Sequence, residues 1–219
     1  MTTSAELLAL LRAKASPKNV EGMARFGISS KNTLGNSVVE LRAIARKAGG
    51  DHQVAQDLWK SGVHEARILA AYVAEPAKVT ERLMDTWVGD FDSWDVCDQV
   101  CANLFDRTPF AYAKAAEWAR AEREFVRRAG FALMACLAWH DKKAQDKAFE
   151  PFLPLIKRYA VDDRNFVKKA VNWALRQIGK RSPALRAKAI AAAQAIERLD
   201  SKSARWVAKD ALRELQKAK

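Results

Sequence analysis

Phe166-Val-Lys-Lys-Ala-Val-Asn-Trp-Ala-Leu-Arg-Gln-Ile178 is the stretch that decides the fold. Its apolar residues Phe166, Val167, Ala170, Val171, Ala174, Leu175 and Ile178 recur at spacings of three and four. That is the period of an α-helix with one buried face, and the basic residues fall on the other side. Boundary signals elsewhere punctuate similar segments of roughly ten to eighteen residues, the length range usual for globular helices. Ser37-Val-Val-Glu40 is a capping box that opens a helix through Arg46, with Gly49-Gly50 ending it. Thr108-Pro109 and Ser182-Pro183 each pair an N-cap with proline at the first helical position. Asp162-Asp163 is placed to cap the segment that contains Phe166. The chain holds only 9 Gly and 6 Pro and shows almost no β-branched alternation, so the expected fold class is all-α.

The opening of the deciding stretch is repeated. Phe125-Val-Arg-Arg-Ala129 begins 41 residues before Phe166-Val-Lys-Lys-Ala170, and Trp206-Val-Ala-Lys-Asp210 begins 40 residues after it. This is the period of HEAT or armadillo helix pairs. His64-Glu-Ala-Arg67-Ile-Leu-Ala and Trp94-Asp-Val-Cys-Asp98 read as the matching helices of two earlier, less regular units. In such an array each pair buries one face against its neighbours and the other helices line a common surface. The expectation is one continuous α-solenoid domain over residues 1–219, with a concave basic surface.

Composition narrows the function. With 49% hydrophobic residues in 219, the chain can bury a real core, and no apolar run approaches the eighteen or so residues of a membrane span. The first residues, MTTSAELLALLRAKA, read as a capped amphipathic helix with Thr3 or Ser4 as N-cap rather than as a leader, so a cytoplasmic location is expected. Cys97, Cys101 and Cys136 are too few and wrongly spaced for a disulfide framework or a zinc site and read as packing residues. His52, His64 and His140 are scattered and read as surface or packing residues. No metal-ligand spacing, Gly-rich phosphate loop or Cys/His nucleophile pair is present, so neither a metal nor a cofactor is expected.

The formal charge of +12 is distributed unevenly. Residues 1–150 hold 21 Lys+Arg against 20 Asp+Glu, whereas residues 151–219 hold 17 against 6. The surplus is interleaved with apolar residues at helical spacing, which makes it a folded basic face suited to a polyanion such as nucleic acid. Lys168, Lys169, Arg176, Lys180 and Arg181 are the candidate phosphate contacts, with Arg67 and Arg127 as weaker ones that have acidic neighbours.

Against this basic background stands an acidic run, Asp90, Asp92, Asp95 and Asp98. Asp92 or Ser93 can cap the helix that follows, and Asp95 sits in its first turn, where the macrodipole favours an anion. Asp98 is too far in for either role and shares a helical face with Trp94 and Cys101. It is either a salt-bridge partner for an arginine or a reactive group. Trp173 follows the Lys168-Lys169 pair by one turn, and Arg128 occupies in its repeat the place Lys169 takes in the next. Trp94, Asp98, Arg128 and Trp173 are therefore expected to converge from three consecutive repeats.

These residues resemble the AlkD family of DNA alkylation repair glycosylases, HEAT-like repeat proteins that excise positively charged alkylpurines. The resemblance rests on Gly22-Met-Ala-Arg-Phe26, Asp92-Ser-Trp-Asp-Val-Cys-Asp98, Val126-Arg-Arg-Ala-Gly130 and Phe166-Val-Lys-Lys-Ala-Val-Asn-Trp-Ala-Leu-Arg176, and spans roughly residues 5 to 215. It implies that Asp98 is the catalytic aspartate, Trp94 and Trp173 the two lesion-flanking tryptophans, and Arg128 the lesion-proximal arginine. Phe26 is a further expected DNA-binding residue, standing where the family typically has tyrosine and so without that residue's hydroxyl. The connection at Lys142 to Phe149 is expected to be slightly longer than usual. The implied partner is double-stranded DNA containing alkylated bases, met by a monomer on the nucleoid with no membrane involved. Two other readings share the basic residues or the repeats: a non-catalytic HEAT-repeat binder of damaged or bent DNA, which needs nothing from Asp98, and a protein-interaction scaffold.

Overall fold

A computed structural model describes residues 2–217. No strand forms among them, and the chain folds as two compact units that divide between Thr108 and Pro109. The first unit contains α1 (Ser4–Ala13), α2 (Pro17–Ala24), α3 (Val38–Ala48), α4 (His52–Lys60), α5 (His64–Val73), α6 (Glu81–Gly89) and α7 (Trp94–Asn103). The second contains α8 (Ala111–Trp118), α9 (Glu124–His140), α10 (Phe152–Tyr159), α11 (Asn165–Arg181), α12 (Pro183–Glu197) and α13 (Lys202–Leu215).

In the first unit α5 packs against α3, α4 and α7. Its centre is a parallel stack of Trp59 on Trp87, centroids 4.1 Å apart and planes 2° from parallel, edged by Phe91 and Phe105. Cys97 and Cys101 are buried thiols, outside any disulfide, on the inner side of α7, and Cys136 is likewise buried in α9.

In the second unit the helices come in pairs, α8 with α9, α10 with α11 and α12 with α13. The second member of each pair is also in line with the next, α9 against α11 and α11 against α13. Phe125, Phe166 and Trp206 lie near the starts of α9, α11 and α13, so the repeated opening of the sequence marks the same place in each pair. Small residues allow the close approach. At Gly130 of α9 a Cβ would stand 2.3 Å from the backbone nitrogen of Ala119, which cannot yield. At Gly179 of α11 a Cβ would meet the Leu215 side chain at 2.6 Å and the Ala189 Cβ at 3.0 Å, with no backbone atom among its nearest neighbours.

The termini follow local chemistry. Thr3, not Ser4, caps α1, its hydroxyl accepting from Glu6 N while the Glu6 carboxylate accepts from Thr3 N at 2.8 Å. Ser37 and Glu40 form the same box on α3, which runs on to Ala48 before Gly49 takes φ +76°. Ser182 caps α12 ahead of Pro183. Two expected caps are not made. The Thr108 hydroxyl donates to Phe105 O at 2.8 Å, and α8 begins only at Ala111. Asp162 is drawn away by two arginines, and α11 begins at Asn165 with no side-chain cap.

Gly130→Ala is expected to destabilise the protein by about 2–3 kcal/mol through overpacking against α8. Gly179→Ala should cost less, because the Leu215 side chain can turn aside and the Ala189 Cβ at 3.0 Å needs to give by only a few tenths of an ångström. Denaturant midpoints of the two variants compare them directly.

Candidate nucleic-acid interface

In the acidic run of the first unit Asp90, Asp92 and Asp95 have structural roles. Asp90 accepts the indole N–H of Trp59 at 2.9 Å, and its backbone oxygen accepts from Arg67 Nη1 at 3.0 Å. The Arg67 guanidinium also lies over the Trp59 ring, 5.3 Å from its centroid, and 4.0 Å from Asp92. Arg67 therefore braces the turn into α7. Ser93 takes the N-cap position, but its hydroxyl donates to Asp95 at 2.8 Å, so neither Asp92 nor Ser93 caps α7 with a side chain.

Asp95 also pairs with the buried His64, Nε2 to Oδ2 2.8 Å. Because His64 opens α5 and Asp95 lies in the first turn of α7, this bond pins the two helix starts together. Burial lowers the imidazole pKa, but the hydrogen bond and charge of Asp95 outweigh it and leave His64 above its usual value. Burial likewise raises Asp95, and His64 more than reverses that, holding the carboxyl below its usual range.

The pin positions Trp94 and Asp98. The Trp94 indole N–H donates to the backbone oxygen of Phe26 at 3.0 Å, tying the start of α7 to the segment after α2. Phe26 turns its ring outward and is 70% exposed. Asp98 lies half-buried one turn along α7 from Trp94. The structure thus brings together Trp94 and Phe26, two positions distant in sequence, with Asp98 on the same helix.

In the second unit Arg128 is 5% exposed, and its Nη1 donates to Phe166 O at 2.6 Å, fixing the start of α11. Arg127 donates to Asp162 at 2.6 Å and to Ala121 O at 2.7 Å, with its guanidinium over the Tyr159 ring. Arg164 binds the same Asp162. Burial raises that carboxyl, and the two arginines bring it below its ordinary value.

A ladder joins α11 to α13. Lys168 Nζ sits 5.2 Å from the Trp206 ring centroid, Asn172 Nδ2 donates to Asp210 at 2.8 Å, and Arg176 binds Glu214. The rungs are one helical turn apart. Lys180 binds Glu214 too, and Arg181 donates to Ala138 O and Ala144 O. Three of the five expected phosphate contacts, Arg176, Lys180 and Arg181, thus have partners inside the protein. Lys169 does not: it is exposed, makes no ion pair among the described residues, and precedes the half-buried Trp173 by one turn.

Sequence reasoning did not find the His64–Asp95 pin, the Trp94–Phe26 bond or the ladder. Only the ladder left a trace, in Asp210 and Glu214 spaced to match Asn172 and Arg176. No three His, Cys, Asp or Glu side chains are placed to hold a metal ion among the described residues, and no helix there is long and apolar enough to cross a membrane.

The paired helices of the second unit, in register from one pair to the next, define a HEAT-like repeat architecture. A family model described as "DNA alkylation repair enzyme" matches residues 7–215, and the chain belongs to that family. A solved structure described as belonging to "a new family of proteins related to the HEAT-like repeat DNA glycosylases with affinity for branched DNA structures" superposes with a TM-score of 0.78 at 19% identity, covering 97% of this chain and 96% of that one. It confirms the HEAT-like fold. No curated protein matches the chain.

The His64–Asp95 pin has a defined pH window. The raised His64 stabilises fully below its ordinary value of 6.5 and less as pH rises through its folded value. The lowered Asp95 stabilises above its ordinary value of 3.8 and less as pH falls through its folded value. Asp95→Asn should therefore lower the melting temperature most between those limits, by about 3 °C or more. The difference should narrow on both sides in a pH series of thermal melts.

Proposed function

We propose that this protein is an alkylpurine DNA glycosylase that hydrolyses the N-glycosidic bond of cationic bases such as 7-methylguanine and 3-methyladenine in duplex DNA. The observation that carries the reading is the placement of Trp94 and Asp98 one turn apart on α7, beside outward-facing Phe26, in a chain of the alkylation repair family.

Alkylation makes the base cationic, so it leaves neutral with the bonding electron pair and needs little acid catalysis. The demand falls on the sugar, which becomes oxocarbenium-like, and a carboxylate placed near it stabilises the transition state. Asp98 takes that role. It also orients the water whose oxygen joins the sugar carbon, and accepts its proton. Trp94 and Trp173 hold the lesion deoxyribose, their ring faces favouring the developing positive charge. Arg128 binds an adjoining phosphate. Lys168 and Lys169 supply sequence-independent phosphate binding, and with Arg176, Lys180 and Arg181 already paired they carry most of the adjustable contact from α11. Such an activity places the protein on the nucleoid, acting as a monomer without metal or cofactor.

The structural relative's affinity for branched DNA favours one second reading, a non-catalytic binder of distorted or branched DNA. The two are separated by free-base release from duplex DNA carrying 7-methylguanine. The wild type should liberate the base, and Asp98→Asn should bind the same DNA but lose at least about tenfold in rate. Binding without any release by the wild type would select the second reading.

Salt dependence distinguishes free from committed cations. Lys169→Gln should reduce the slope of log affinity against log salt by about one. Arg176→Gln should change it less, since its charge is spent on Glu214.

A further inference from the structure

The indole of Trp206 has no part in the proposed glycosidic chemistry. The inner face of α13 is made by Ser203, Ala204, Val207, Ala208 and Ala211, all buried. Trp206 lies off that face and is 42% exposed. Large aromatic groups set out on a helix surface mark contact sites when their surroundings are also distinctive.

Here the surroundings are cationic. Lys202 precedes Trp206 by one turn on α13 and Lys209 follows it by nearly one, both exposed and without an ion pair among the described residues. From α11, Lys168 lies over the ring and Lys169 stands next to it in sequence. The nearby acids are spent: Asp200 on Arg205, Asp210 on Asn172 and Arg213, Glu214 on Arg176 and Lys180. The ladder thus neutralises the far end of the α11–α13 seam and leaves its near end positive around a solvent-facing ring.

Basic residues interleaved with an exposed aromatic ring are what a single strand of nucleic acid requires: cations for the backbone and a flat surface for a base. A base inside a duplex is already stacked on both faces and cannot use such a ring. We propose that Trp206 is a stacking platform for an unpaired nucleobase of DNA, with Lys169, Lys202 and Lys209 holding the flanking phosphates. Lys168 covers the indole when no DNA is bound. An incoming base displaces it, because base–indole stacking is stronger than an exposed lysine–indole contact, and the freed ammonium joins the phosphate contacts. The site therefore selects DNA carrying a single-stranded arm over continuous duplex. It rests on the proposed DNA binding but not on the chemistry assigned to Asp98.

The test uses the full chain and two DNAs, a plain duplex and the same duplex with a single-stranded arm containing 2-aminopurine, whose fluorescence falls on stacking. The wild type should bind the armed DNA more tightly and quench the probe. Trp206→Ala should lose about tenfold or more of the armed-DNA affinity together with the quenching, while duplex affinity and thermal stability hold. Trp206→Phe should restore most of both. Lys168→Gln should keep the quenching and lower the salt slope. Unchanged quenching in Trp206→Ala, or an equal loss on both DNAs, overturns the platform. If the wild type binds duplex without preferring the arm, this inference alone fails; if it binds neither DNA, the proposed function fails with it.

Discussion

The second unit depends on one electrostatic constraint: a strongly basic helix, α11, has to be packed on both sides. Desolvating arginines in a seam without partners would cost more than the seam gains. The chain meets this by placing Asp210 and Glu214 on α13 one turn apart, opposite Asn172 and Arg176. Arg128 solves the same problem on the other side with a backbone oxygen, that of Phe166. Each solution fixes the axial register of two helices as well as their charge, because a shift of one residue would rotate the partners out of reach. What remains unneutralised is then determined by geometry: the ends at which Lys168, Lys169, Lys202 and Lys209 lie.

The first unit is organised around an opposite problem, an acidic run in a basic protein. Neighbours give its members tasks: Asp90 receives Trp59 and Arg67, Asp92 faces Arg67, and Asp95 receives His64 and Ser93. These bonds hold the start of α7 rigidly, which is what a tryptophan and a carboxylate on that helix need in order to present a fixed surface. The Trp94–Phe26 bond extends the same rigidity to the segment after α2.

The all-helical fold was legible because 3.6-residue periodicity is written locally, as in Phe166 to Ile178, and because the repeated openings at Phe125, Phe166 and Trp206 preserve it across pairs. Caps were legible where only the cap and its own helix compete, as at Ser37 and Ser182. They were misread at Asp162 and Thr108, where one distant and one neighbouring arginine, Arg127 and Arg164, or a preceding carbonyl claims the side chain instead. The same limit applies to the interface. Trp94 and Asp98 share a helix, so their relation could be read from spacing. The partners of Arg176, Lys180 and Arg181 lie on other elements 34 to 43 residues away, and charge counting alone treats such residues as if they were free.

The placement of net charge also bears on how fast the protein meets its target. Residues 151–219 carry 17 Lys+Arg against 6 Asp+Glu, while the rest of the chain is nearly balanced. A molecule built this way has a large electric dipole moment. In the field of a polyanion it is turned during diffusion, before any contact forms, so that its carboxy-terminal third leads the encounter. Collisions in other orientations become rarer, and association gains speed at low ionic strength and loses that advantage as the Debye length shrinks.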